Sequence, residues 1–343
     1  MKAGFFSHIY VEKDILEAPK TQELISRLPN SEIIEINHYK DVFCRSRQDF
    51  AKQKKSPALI LAHKKGELIY EGAKVCQSFG NAHFYYTSCI MNCVYNCEYC
   101  YLSGMYPSGN IVIFMNLEDY FEEISRTLLK NPMYICVSYD TDLLALNHLT
   151  GVLNRWIEFV DTKENLSIEI RTKCGNISSV KESLKCCKHP ERIIFAFTVS
   201  PEAVIERYEK GTASLTARLK ALAELQELKI PCRIAFDPMI YLPDWKPVYE
   251  EMADIIFKGR DNYPKIDCNK IFDVSIGSFR ISDTYLKNMR RNLPSSAITQ
   301  FPYDNDGGVY HYPDEIMKEM EAYMLGRCRK ILPEDKIFLW KEQ

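Results

Sequence analysis

Residues 87–104 read TSCIMNCVYNCEYCYLSG and hold four cysteines, Cys89, Cys93, Cys97 and Cys100, among three tyrosines, Tyr95, Tyr99 and Tyr101. Cys89, Cys93 and Cys97 follow one another at four-residue steps, and only Cys97 to Cys100 is a shorter step. The last three cysteines thus form the pattern Cys93-x-x-x-Cys97-x-x-Cys100, with an aromatic residue, Tyr99, just before the final thiol. Structural zinc usually takes paired cysteines separated by a long spacer, and clusters that only carry electrons take four thiolates. Three thiolates in one short loop suit a [4Fe–4S] cube in which one iron keeps an open position for a small chelating molecule. Cys89 is then a spare, and structural zinc is the competing reading.

Outward from this loop, apolar strand patterns alternate with amphipathic helical ones. The strand candidates are NIVIFMN (110–116), MYICVSYD (133–140), LSIEIRTK (166–173), RIIFAFTVS (192–200), CRIAFDPMIY (232–241) and FDVSIGSFR (272–280). Helical stretches such as LEDYFEEISRTLLK, TARLKALAELQEL and PVYEEMADIIFKG lie between them. Such alternation predicts βαβ units on a parallel sheet. Without a glycine-rich dinucleotide turn, a succession of six favours an α/β fold of the partial TIM-type (β/α)6 barrel kind over an open nucleotide-binding sheet. Residues 1–80 read as an N-terminal α/β extension, with a helix at KTQELISRL and a buried strand at ALILAH. The basic stretch RSRQDFAKQKKS (45–56) between them reads as a solvated loop or a phosphate-contacting patch. Residues 81–343 form the barrel domain. Its end carries a hairpin at about 300–313, marked by the turn signal DGG, and then a helix in PDEIMKEMEAYMLGRCRKIL.

The chain has 343 residues and a formal net charge of −2, so contacts with nucleic acid must come from local patches rather than a global basic field. The start has no long apolar run of the signal-peptide kind, and no stretch approaches the ~20 apolar residues of a membrane span. A cytoplasmic protein with no membrane partner is expected. Thirteen cysteines in a reducing compartment point to metal binding or catalysis rather than disulfides.

The cysteine triple at the first βα turn of a partial barrel resembles the radical S-adenosylmethionine superfamily. Six colinear segments narrow the resemblance: CVYNCEYCYL (93–102), TDLLALNHLT (141–150), RTK (171–173), FTVSPEAVIERYEKGTASLTARLKAL (197–222), IAFDPMIYLPDW (234–245) and VYHYPDEIMKEM (309–320). Together they look like the spore photoproduct lyase family, in a clostridial-like variant. The resemblance implies a DNA repair lyase that uses a 5′-deoxyadenosyl radical to split 5-thyminyl-5,6-dihydrothymine into two thymines. It implies a [4Fe–4S] cluster on Cys93, Cys97 and Cys100, and S-adenosylmethionine held by Tyr99, Thr141, Lys173 and Thr198. It further implies a lesion contact at Tyr310, ultraviolet-damaged double-stranded DNA as partner, an external one-electron reductant of flavodoxin or ferredoxin type, and residence in the spore core. The alternative is a related radical enzyme acting on a different DNA lesion or nucleic acid.

Two positions depart from the family pattern. Where familiar members carry the cysteine that returns a hydrogen to the product, this chain has Tyr139, and where a basic residue precedes the hairpin tyrosine it has Val309. Cys136, three residues upstream on a strand, is expected to point to the opposite face. Cys76 is therefore the expected hydrogen donor, with Tyr101 or Tyr99 passing the radical back toward the cofactor.

Overall fold

The computed structural model describes residues 5–72 and 76–340. Six parallel strands lie side by side in sequence order: Phe84–Tyr86, Met133–Cys136, Leu166–Thr172, Ile193–Thr198, Cys232–Met239 and Ile271–Ser278. Five of them are those read from the sequence. The first is not, because Ile111–Phe114 pairs in parallel with Leu59–Ala62 in a separate five-stranded sheet. All four of its residues are buried. A short apolar run of this kind shows that a strand is buried but not which sheet it joins. Its barrel position is taken by the three-residue strand Phe84–Tyr86, too short to carry a period.

The N-terminal sheet runs in the order Glu32–Ile36, His8–Glu12, Leu59–Ala62, Ile111–Phe114, Ile90–Met91, so it draws strands from both sides of residue 80. The segment 45–56 is not simply a solvated loop. Asp49 caps a helix at Phe50–Lys55, and Lys54 Nζ donates to the Cys93 carbonyl at 2.5 Å. At the other end of the chain, Ile337–Leu339 adds a further parallel strand beside Ile271–Ser278, past the helix Asp314–Cys328. No helix among the described residues is long and apolar enough to cross a membrane.

Inward-facing residues of the barrel fall into layers set by the strand register. Arg171, Ala196, Arg233 and Asp273 are successive partners across four strands, and Thr198, Ala235 and Ser275 form the next layer toward the strand ends. The charged layer fills the floor, and the small residues above it leave space. Two antiparallel pairings build a three-stranded sheet at the rim, Arg280–Ser282 with Val309–His311 and the latter with Asp304–Asp306. Gly307 and Gly308 turn the hairpin at φ +57° and +91°, a conformation that favours glycine at both positions.

Candidate active site

A cavity of about 570 Å³ opens at the C-terminal ends of the strands, lined by Cys93, Cys97, Cys100, Tyr99, Thr141, Lys173 and Thr198, among others. The cysteine loop enters it between two braces. Asn92, at φ +68°, donates to the carbonyls of Ser108 and Asn110 at 2.7 Å each, and Lys54 holds the Cys93 carbonyl. On the far side, Asn96–Cys97 pairs antiparallel with Glu209–Lys210, and the Glu98 amide donates to the Tyr208 carbonyl at 2.8 Å.

No group of three or more Cys, His, Asp or Glu side chains among the described residues converges on a point suited to one metal ion. A tetrahedral zinc site needs such convergence, with sulfurs ~2.3 Å from the ion. A cube takes each thiolate on a separate iron, and the three thiols that line one cavity suit such a group. Burial pushes the Cys93 thiol up to about 11, with Asp142 adding to the shift. Burial likewise raises Cys97, against the opposing pull of Lys173. Thiols in such surroundings become thiolates when a cation takes the place of the proton. Cys89 is buried in the core and does not line the cavity.

Lys173 Nζ lies 5.4 Å from the centre of the Tyr99 ring, and the Tyr99 hydroxyl donates to the Glu209 carboxylate. Burial alone would raise Glu209, yet Arg218, followed by Lys173, holds it below the usual carboxylate range. Arg218 is itself buried and reaches Glu209, the Thr198 carbonyl at 2.9 Å and the Thr212 hydroxyl at 2.8 Å. The segment ERYEKGTASL thus supports the cysteine loop from beneath. Asp142 caps the helix Leu143–Thr150 and accepts from the Thr172 hydroxyl and, at 2.7 Å, from the Lys173 amide. The neighbouring Thr141 hydroxyl is buried against the cavity with no hydrogen-bond partner. An unpartnered polar atom of this kind suits a polar ligand group, since leaving it unpaired costs ~1–3 kcal/mol.

The other wall is built from tyrosines. Tyr101 donates to the Tyr139 carbonyl at 2.6 Å, and Asp140 accepts from Ser88 and, at 2.6 Å, from Tyr106. Cys76 and Tyr139 both line the cavity, with the thiol sulfur 3.3 Å from the phenol oxygen. Cys136 requires a correction. It does not face away, but packs in the barrel interior with Phe84, Tyr134 and Ile194, against which Cys76 and Tyr139 also rest. The strand ends at Cys136 and a turn follows, so two-residue alternation does not extend to Tyr139. Cys136 remains fully buried outside the cavity lining.

Tyr310 is the one expected site residue that does not line the cavity. Its ring packs beneath the Arg290 guanidinium at 5.7 Å, and Val309 lines the cavity instead. Glu209 and Arg218 lie inside the segment 197–222 and Lys54 inside the basic stretch 45–56, but neither these three nor Asp140 stood out as site residues in the sequence. The floor network also went unread. In it Arg233 bonds Asp273, Tyr134 at 2.7 Å and Glu169 at 3.1 Å.

Comparison with known proteins agrees with this geometry. The family model described as spore photoproduct lyase matches residues 5–340. The spore photoproduct lyase of a Geobacillus species is 22% identical over 342 residues, covering 96% of each chain. That of Bacillus subtilis is 22% identical over 255 residues, covering 72% of this chain and 71% of its own. Among solved structures, a double mutant of spore photoproduct lyase with bound AdoMet and dinucleoside spore photoproduct aligns over 100% of both chains, with a TM-score of 0.80 and 20% identity. A complex of the lyase with dinucleoside spore photoproduct aligns over 99% of both, with a TM-score of 0.78 and 19% identity. At such identities the structural likeness fixes the fold, a partial barrel, and the family model spans almost the whole chain: this protein belongs to the spore photoproduct lyase family.

Proposed function

We propose that this chain reverses the spore photoproduct in DNA to two thymines as a radical S-adenosylmethionine lyase. One observation carries the reading: the three cysteines of the Cys93–Cys100 loop, the unpartnered Thr141 hydroxyl and the Lys173 ammonium surround one cavity at the mouth of the barrel. When bound, the cluster and S-adenosylmethionine supply the radical that removes a hydrogen from the lesion.

The protein's own residues bind, orient and exclude water. Cys93, Cys97 and Cys100 hold the cluster. Lys173 offers a charge-assisted contact to the methionyl carboxylate. Tyr99, held by Glu209, and Thr198, on the small-residue layer, line the same cavity and would bind S-adenosylmethionine there. Cys76 is assigned the returned hydrogen, because it lines the cavity and Cys136 does not. Access, rather than strand orientation, separates the two thiols.

DNA is gripped at the rim. Tyr310 stands on the hairpin beside the helix Asp283–Asn292, which carries Lys287, Arg290 and Arg291. Among the described residues none of these three cations is paired with a carboxylate. They supply the positive charge that Val309 does not, and Tyr310 lines the gap left by an extruded lesion. The setting is the cytoplasm of a spore, with a flavodoxin- or ferredoxin-type donor.

The test is anaerobic reconstitution followed by assay on a synthetic dinucleotide spore photoproduct and on irradiated duplex DNA. Release of thymine that requires S-adenosylmethionine supports the reading. A second reading, action on another lesion, is favoured by Tyr139 standing where relatives of this type carry a thiol. Cleavage of S-adenosylmethionine without thymine release from the dinucleotide would select it.

A further inference from the structure

Tyr139 lies in the turn that follows the strand Met133–Cys136, directly over Cys76. Three contacts fix it. Its ring stacks on Tyr86 with centroids 4.1 Å apart and planes 28° from parallel. Its carbonyl accepts the Tyr101 hydroxyl at 2.6 Å. Its own hydroxyl stands 3.3 Å from the Cys76 sulfur. The other tyrosines of the wall are committed elsewhere: Tyr101 to that carbonyl and to Asp140, and Tyr99 to the Glu209 carboxylate. Among these phenols, Tyr139 is the one in hydrogen-transfer contact with the thiol. Burial first, and then Cys76, raise its pKa above the ordinary phenol value, so it keeps the hydrogen that such a transfer needs.

Resting on the assignment of Cys76 as hydrogen donor, we propose that Tyr139 is a catalytic residue that recharges it. Cys76 loses its S–H hydrogen to the carbon radical on the thymine methylene, forming the methyl C–H bond and leaving a thiyl radical. The Tyr139 O–H hydrogen then passes to the sulfur. This remakes S–H and leaves a neutral phenoxyl radical on Tyr139. One electron from a low-potential donor of the class that starts the reaction, with one proton from solvent, restores the phenol. Tyr86 and, stacked on it at 5.1 Å, the half-buried Tyr70 lead from Tyr139 toward the surface, a route by which that electron can enter. Thiol and phenol therefore share the hydrogen return between them, the thiol meeting the substrate and the phenol replenishing the thiol.

The experiment compares reconstituted wild type, Tyr139→Phe, Tyr101→Phe and Cys76→Ala on the dinucleotide lesion in deuterated buffer. Phenylalanine keeps the stack on Tyr86, and unchanged iron content verifies that each variant is assembled. Tyr139→Phe is expected to yield a first turnover with deuterium in the methyl group, because Cys76 starts charged. Its later turnovers should then slow by at least about tenfold. Freeze-quenched wild type should show a tyrosyl radical in electron paramagnetic resonance that is absent from Tyr139→Phe and present in Tyr101→Phe. Wild-type multiple-turnover rates in Tyr139→Phe, or a tyrosyl signal that survives in it, overturn the proposal. Failure of the underlying assignment looks different: Cys76→Ala would then give wild-type thymine yield and labelling.

Discussion

Glu209 and Arg218 are both fully buried, and each is the other's main counter-charge. Exchanging Arg218 for methionine keeps the volume but strands a carboxylate beneath Tyr99. Loss of one partner of a buried pair costs about 3–5 kcal/mol, so urea unfolding of Arg218→Met is expected to show a drop of that order. The sign of the pH dependence follows from the same pair. Glu209 is held below the ordinary glutamate value of about 4.3, so its contribution is present above that value and is lost as pH falls through the depressed one. The acid limb of the unfolding curve should flatten in Glu209→Gln. The thiols divide sharply at this scale. Cys93→Ala, Cys97→Ala and Cys100→Ala are each expected to lose the iron measured after anaerobic reconstitution, and Cys89→Ala, outside the cavity, to keep it. Retained iron in any of the first three would falsify the cluster assignment.

At the scale of elements, the hairpin and the helix Asp283–Asn292 carry the argument about DNA. Lys287 and Arg291 are exposed and Arg290 is held over Tyr310. Replacing Lys287 and Arg291 by alanine should reduce the salt slope of duplex binding by about one per residue, with turnover of the dinucleotide lesion unchanged. A loss on both substrates would instead place the helix in the catalytic machinery. The hairpin also has a protonation switch. His311 faces the Tyr312 carbonyl at 2.7 Å and Asp306 at 2.9 Å, with Asp314 nearby. Burial would lower its value, but the carbonyl and Asp306 outweigh burial and raise it. The imidazolium therefore stabilises the hairpin below the ordinary histidine value of about 6.5, and that contribution is lost as pH rises through the raised one. Hairpin amide protection, corrected for intrinsic exchange, should fall over that window in wild type and stay level in His311→Ala.

At the scale of the whole molecule, the cysteine loop is clamped between two sheets that do not share a strand. Lys54 reaches it from the N-terminal sheet's side, and Glu209–Lys210 from the barrel's. The short helix Leu102–Met105 that follows the loop lies against Asp283–Asn292, and a Cβ on Gly104 would come within 2.3 Å of the Tyr285 carbonyl oxygen. Gly104→Ala must part these two helices. It is expected to cost about 1–3 kcal/mol, read as a lowered unfolding midpoint, and to weaken iron retention by loosening the loop.

The residues that needed only their neighbours in sequence were legible. The cysteine spacing, the DGG turn and five of six barrel strands depend on local geometry, namely the reach of a short loop, the φ of a turn and the run of apolar side chains. What the tertiary structure alone decided were pairings between distant segments. Ile111–Phe114 could serve either sheet, because an apolar strand buried on both faces matches any parallel neighbour. Ile337–Leu339 was too short to signal its place beside Ile271–Ser278. Cys76 and Tyr139 stand 63 positions apart, and no period in the chain relates them. They meet because the segment before the first barrel strand folds over the turn after the second, and closure of that kind is set by the packing of the whole barrel rather than by any local preference.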